Sequence, residues 1–140
     1  MIAPAARFLS VVCVVISLAS CATIPTQEQL ATADYGPYPD DYKAIIKSYL
    51  AASLFDPYSA VYSDWTEPVQ GYAGDRLTGF AHGYSVCVTV NAKNRFGAYV
   101  GARLYHFVLR NGAVVKSTGG DEPGSLGAMM AERFCRGAHG

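Results

Sequence analysis

The stretch Leu104-Tyr105-His106-Phe107-Val108-Leu109-Arg110-Asn111-Gly112-Ala113-Val114-Val115 decides the fold class. Asn111-Gly112 separates two apolar runs. A two-residue type I′ turn needs φ > 0 at both central positions, which Asn and Gly tolerate best. The reading is a hairpin with one strand over residues 99–110 and a return strand over 113–117. Along the first strand Leu104, His106 and Val108 share one face, and Tyr105, Phe107 and Leu109 the other. A turn this short joins only antiparallel neighbours.

Upstream, residues 84–91 alternate as a second central strand. Val86, Val88 and Val90 take one face; Cys87, Thr89 and Asn91 take the other. Residues 60–65 and 69–73 read as shorter strands, the second at an edge because Pro68 and Gly71 interrupt it. Residues 74–83, with Asp75, Arg76 and His82, read as a polar loop. Two helices flank the strands. In residues 39–55, Tyr42, Ile45, Ile46, Tyr49 and Leu50 recur as one apolar stripe. Asp40 and Asp41 suit the positive end of its dipole, and Pro57 stops it. In residues 125–136 Ser125 serves as a cap, and Leu126, Met129, Met130 and Phe134 line one side. The expected fold is α+β: a small antiparallel sheet of four or five strands, with the N-terminal and the C-terminal helix packed on one face. It forms a single domain over residues 39–140, with 137–140 frayed. A small, partly closed barrel is the alternative.

The N-terminal region reads differently. An apolar run over residues 8–17 follows Arg7 and ends in Leu18-Ala19-Ser20-Cys21. This resembles the lipobox of bacterial lipoproteins: small residues admit the backbone to a peptidase, and the Cys thiol takes a diacylglyceryl thioether. The resemblance implies removal of residues 1–20 as a signal peptide, lipidation of Cys21 and acylation of its amino group, for example with palmitate. A plain secretory signal and an uncleaved anchor are the other readings; the run is short of the roughly 20 residues that span a bilayer. Residues 21–38 read as a flexible tether without apolar periodicity. By resemblance to enterobacterial lipoproteins, Ala22 in place of Asp implies the outer membrane, facing the periplasm.

Export sets the redox setting. The chain has four Cys. Cys13 leaves with the signal and Cys21 takes lipid, so Cys87 and Cys135 remain to form a disulfide in an oxidising compartment, two free thiols being the alternative. The 11 Lys and Arg balance 11 Asp and Glu, with no basic stripe. That makes nucleic acid and an anionic membrane surface poor electrostatic partners, and no nucleic acid is expected.

Two stretches of the mature chain carry a further resemblance. One is Leu54-Phe55-Asp56-Pro57-Tyr58-Ser59-Ala60. The other runs from Cys87 through Val90-Asn91-Ala92-Lys93-Asn94 to Gly97, Tyr99 and Gly101. They resemble a group of small, uncharacterised bacterial envelope proteins with L-x-D-P-x-S-A followed by C-x-x-V-N-A-K-N-x-x-G-x-Y-x-G. Members often carry Gly after the motif Cys, where this chain has Val88. The resemblance implies a small α+β domain in the envelope and no reaction. On their own chemistry, Asn91, Lys93, Asn94 and Arg95 form a compact polar loop fit for a carboxylate, a glycan or a peptide strand. The same residues also suit a turn in which Asn side chains bond nearby backbone. Asp56-Pro57-Tyr58-Ser59 suits a helix stop with an Asx or Ser turn.

Catalytic signals are absent from the sequence. His82, His106 and His139 lack metal-site spacing, so no metal and no cofactor are expected. No Gly-x-Ser-x-Gly, phosphate loop or His-Glu-x-x-His occurs. His106 reads as a half-buried strand residue, and Asp121-Glu122 as a solvated turn. The chain is not expected to be an enzyme. It is rich in aromatics, with 10 Tyr, 6 Phe and 1 Trp. Trp65 and Tyr72 stand out as a candidate aromatic interface, with core packing as the other use. The expected function is a lipid-anchored accessory or assembly partner of another envelope protein. A ligand- or peptidoglycan-binding module and a periplasmic hydrolase inhibitor are the alternatives.

Overall fold

The structure, a computed structural model, describes residues 23–136. Residues 1–20, Cys21, residues 137–140 and His139 lie outside it, and with them the expected signal, lipidation and frayed tail.

The Asn-Gly hairpin forms as read. Asn111 (φ 51°) and Gly112 (φ 74°) join β4 (Arg103–Arg110) to β5 (Ala113–Gly119). Arg110 pairs with Ala113 and Leu109 with Val114, and a bulge follows at Val108/Leu109. The spine of the sheet is β3 (Gly79–Lys93), 15 residues long. One edge of β3 pairs with β4, Tyr84 opposite Leu109 and Val90 opposite Arg103. Its other edge is shared. β2 (Val69–Asp75) pairs with its first half, and β1 (Asp56–Ser63) with its second. Thr66 fills the gap between them. Its amide donates to Cys87 O at 3.0 Å, and its hydroxyl accepts from Cys87 N at 2.8 Å. A five-stranded antiparallel sheet results.

The polar loop expected over residues 74–83 is instead the β2–β3 hairpin. Asp75 Oδ1 accepts from the Leu77 and Thr78 amides and turns the chain. Gly74, Gly79 and Gly83 hide the strand pattern from the sequence. Gly83 is required: a Cβ there would lie 2.2 Å from Leu109 O.

The sheet has two covered faces. Val86, Val88, Val90, Phe107 and Leu109 pack against α2 (Tyr42–Ala51) through Tyr42, Ile46 and Leu50. Full burial of a Phe, Ile or Leu side chain contributes about 1.5–3 kcal/mol. Tyr49, at the rim, bonds Ser117 Oγ at 2.8 Å. α2 is shorter at both ends than the expected 39–55, since Pro39 precedes it and a turn at Leu54 closes it.

Cys87 alternates with the valines and faces the other way. It is bonded to Cys135 of α3 (Leu126–Arg136), with Cα atoms 5.9 Å apart. Ser125 Oγ accepts from Ala128 N at 3.2 Å and starts that helix. The helices therefore cover opposite faces, which corrects the expectation of one face. Ala131 and Cys135 are the buried residues of α3. Leu126 and Met129, expected to line its inner side, are exposed.

The described part of the segment read as a tether, residues 23–38, holds a short helix and side-chain contacts to the sheet. Thr26 and Gln29 form a capping box on the short α1 (Gln27–Thr32). Asp34 then pairs with Arg110 at 2.6 Å. Tyr35 packs edge-on to His82, and Tyr38 to Tyr84. Among the described residues no helix is long and apolar enough to cross a membrane.

Candidate functional site

The two familiar stretches meet at one corner of the sheet. Asp56 lies opposite Lys93 where β1 leaves β3. Ser59 Oγ donates to Asp56 O and accepts from Lys93 N, while Ser59 N donates to Asp56 Oδ1. Tyr99 bridges back to Lys93, and its hydroxyl donates to Ser59 O at 3.2 Å. The Asp-Pro-Tyr-Ser segment is thus the Ser turn that the sequence suggested, and it is also the floor of the following loop.

The loop after β3 is held by its own asparagines. Asn94 Oδ1 accepts from the amides of Phe96 and Ala98 at 2.9 and 3.2 Å. Asn91 Oδ1 accepts from Gly101 N at 3.0 Å. Arg103 closes the far end by bonding Val100 O, Asp121 O and Glu122 Oε1. Of the two uses open to Asn91 and Asn94, their oxygens take the turn. Glu122 serves this clamp with its carboxylate, and Asp121 with its main-chain carbonyl.

What this corner presents outward is aromatic and cationic. Tyr58 is 100 % exposed, Phe96 78 % and Phe55 70 %. Lys93 Nζ lies 5.4 Å from the Tyr99 ring centroid, and Arg95 Cζ lies 4.8 Å from that of Phe96. Among the described residues neither cation has a carboxylate partner. β1 beside them ends the strand order and leaves one edge unpaired. The aromatics singled out from sequence lie elsewhere. Trp65 stacks on Tyr62 at 5.7 Å and packs against the core. Tyr72 lines a cleft on the opposite face. Exposure of Phe55, Tyr58 and Phe96 was not readable from spacing, although the motifs carrying them were.

That cleft is a cavity of about 440 Å³ between β2, β3, β4 and α3. Tyr72, Phe80, Met130 and Phe134 give it apolar walls, and Arg76 and Arg133 also line it. His106 is 1 % exposed, fully rather than half buried. Its Nε2 lies 3.1 Å from Ser85 Oγ, and its ring stacks on Phe134 at 4.9 Å. Burial lowers its pKa to about 4, so it is neutral at ordinary pH. Among the described residues its Nδ1 has no hydrogen-bond partner. A Ser–His pair whose second nitrogen meets no carboxylate lacks the orienting member of a hydrolytic triad. Asn91, Lys93, Asn94 and Arg95 do not line this cavity. Among the described residues no three His, Cys, Asp or Glu side chains are grouped to hold a metal ion.

Comparison with protein-family models, with curated proteins and with solved structures returns no match for this chain.

Proposed function

We propose that the chain is a lipid-anchored envelope protein that docks another envelope protein through the corner built by β1 and the loop after β3. The exposed Phe55, Tyr58 and Phe96 beside an unpaired strand edge carry this reading. Aromatic and Arg side chains are the residue types that dominate interface energetics, and a free edge accepts an added strand. Lys93 and Arg95 favour an acidic segment in the partner. Because Asn91, Asn94 and Arg103 already fix the loop, little conformational entropy is lost on docking. Anchoring rests on the lipobox at Cys21. Through it the domain is held at the outer membrane, facing the periplasm. A prearranged, protruding loop also suits an inhibitor of a periplasmic hydrolase, and the identity of the partner separates the two.

A photo-crosslinking residue at position 96 of the full chain, in living cells, tests the docking. The control position is 77, since Leu77 is 97 % exposed on the β2–β3 turn. One envelope protein captured from 96 and not from 77, and lost in a Tyr58→Ser background, supports the proposal. Equal capture from both positions sinks it. A Cys21→Ser chain is expected to accumulate as the uncleaved precursor, and normal maturation would overturn the lipid anchor.

A further inference from the structure

The cleft on the α3 face has features that the docking corner does not use. Its volume, about 440 Å³, lies in the range of small-ligand pockets. Its walls are apolar side chains from two layers: Tyr72 and Phe80 from the sheet, Met130 and Phe134 from the helix. A site of this kind takes an apolar body and fixes it with a few polar groups.

The polar groups indicate the sign of the ligand. Three charged side chains line the cleft: Asp75, Arg76 and Arg133. The Asp75 carboxylate is committed to the Leu77 and Thr78 amides and the Thr78 hydroxyl. Among the described residues neither Arg76 nor Arg133 has a carboxylate partner. Two free guanidiniums beside an apolar cavity match a carboxylate or phosphate, which Arg binds with paired N–H groups. His106 also borders the cleft but is only 1 % exposed, so the charged recognition falls to the two guanidiniums.

Position gives the source. Ile24 lines the same cleft. Cys21 is three residues earlier in the chain, so at most about 10 Å of extended backbone separates the two. On the proposed anchoring, the cleft opens close to the bilayer surface. The supply of ligand rests on that reading; binding itself does not.

We propose that the cleft between the sheet and α3 binds a single-chain amphiphile with an anionic head. The tail lies among Tyr72, Phe80, Met130 and Phe134, and the carboxylate or phosphate meets Arg76 and Arg133. A free fatty acid and an anionic lysophospholipid share this chemistry.

The test uses the mature chain held in phosphatidylcholine nanodiscs, with carboxyl-13C-labelled dodecanoate as probe. The expected result is a shifted carboxyl resonance that saturates at one equivalent and is absent from empty nanodiscs. Affinity is expected to fall at least tenfold in an Arg76→Gln/Arg133→Gln chain of unchanged melting temperature. Phe96→Ser, which removes the docking corner, is expected to leave it unchanged. Lysophosphatidylglycerol added to the nanodisc displaces dodecanoate if a membrane-derived lysolipid is the ligand, and leaves it bound if free acid is. A spectrum identical to that of empty nanodiscs, or binding indifferent to the double substitution, overturns the proposal while leaving the crosslinking result at position 96 untouched.

Discussion

Ser59 Oγ accepts a hydrogen bond from the Lys93 amide at 2.8 Å while donating to the Asp56 carbonyl at 2.7 Å. One hydroxyl thereby joins the segment that starts β1 to the end of β3, 34 residues later. The contact is part-buried, so water replaces it poorly. Ser59→Ala leaves the Lys93 amide without a side-chain acceptor and is expected to cost about 1–3 kcal/mol. Urea unfolding checks this. A midpoint equal to wild type would mean that water restores the bond.

The Cys87–Cys135 bond is expected to contribute more. It closes a loop across 48 positions. In the chain-entropy account such a loop contributes about 4 kcal/mol, as an upper value. Reduction in the folded state, or Cys135→Ser with Cys87→Ala, should lower the urea midpoint accordingly. Both Cys resist alkylation until reductant is added. Free alkylation of the exported protein would show that the bond does not form there.

How much of this was legible follows from the same strand. Val86, Val88 and Val90 alternate with Cys87 in the sequence, so the disulfide and the valine core cannot share a face. The opposed helices were therefore readable from residues already singled out. The hairpin at Asn111-Gly112 was readable because its turn chemistry is local. The β2–β3 hairpin was not, since Gly74, Gly79 and Gly83 carry no hydropathy signal. Gly83 is needed for a close approach to Leu109 O that exists only after folding, and Gly79 for its positive φ in the turn. The docking corner was half legible: the motifs pointed to it, but its exposed residues are set by which edge β1 occupies. The cleft was not legible. Ser85, His106, Arg76 and Arg133 come from three strands or turns and a helix, and no spacing links them.

His106 gives the fold a pH dependence of definite sign. Its pKa falls from 6.5 to about 4 on folding because burial penalises the cation. Above pH 6.5 both states are neutral and the group contributes nothing. As pH falls from 6.5 toward 4 the unfolded chain takes up the proton first, and stability drops. At 1.36 kcal/mol per unit the loss reaches about 3 kcal/mol near pH 4. Stability measured in urea from pH 7 to 4 should fall less steeply in His106→Asn. Equal slopes would show that His106 is protonated in the folded protein.

The docking corner should be energetically quiet in the free protein. Phe96 and Tyr58 bury little, so their truncation removes no core contact. Tyr58→Ser and Phe96→Ser are expected to shift stability by no more than about 0.5 kcal/mol. A large loss in either would assign these rings to the fold rather than to a partner, and would remove the main support for docking there.

One of the contacts that hold the N-terminal arm, the Asp34–Arg110 pair, titrates. Asp34 Oδ1 accepts from Gly36 N, and Oδ2 pairs with Arg110. Gly36, at φ 74°, crosses close to Arg110 and Asn111 in a left-handed conformation that strains any residue with a Cβ. The Gly36 amide first, and Arg110 second, hold the Asp34 carboxyl below its ordinary value of 3.8. Its contribution is therefore fully present above pH 3.8 and is lost as pH falls through the lower folded value. Arg110→Ala removes the ion pair at any pH. The pair is exposed, so the global midpoint should barely move. The local effect is different: amides of residues 30–36 should exchange faster and the arm should be cut sooner by protease. Since Ile24 lines the cleft, a loosened arm should also widen access to it. Exchange rates unchanged in Arg110→Ala would mean that Tyr35 and Tyr38, packed on His82 and Tyr84, hold the arm without the ion pair.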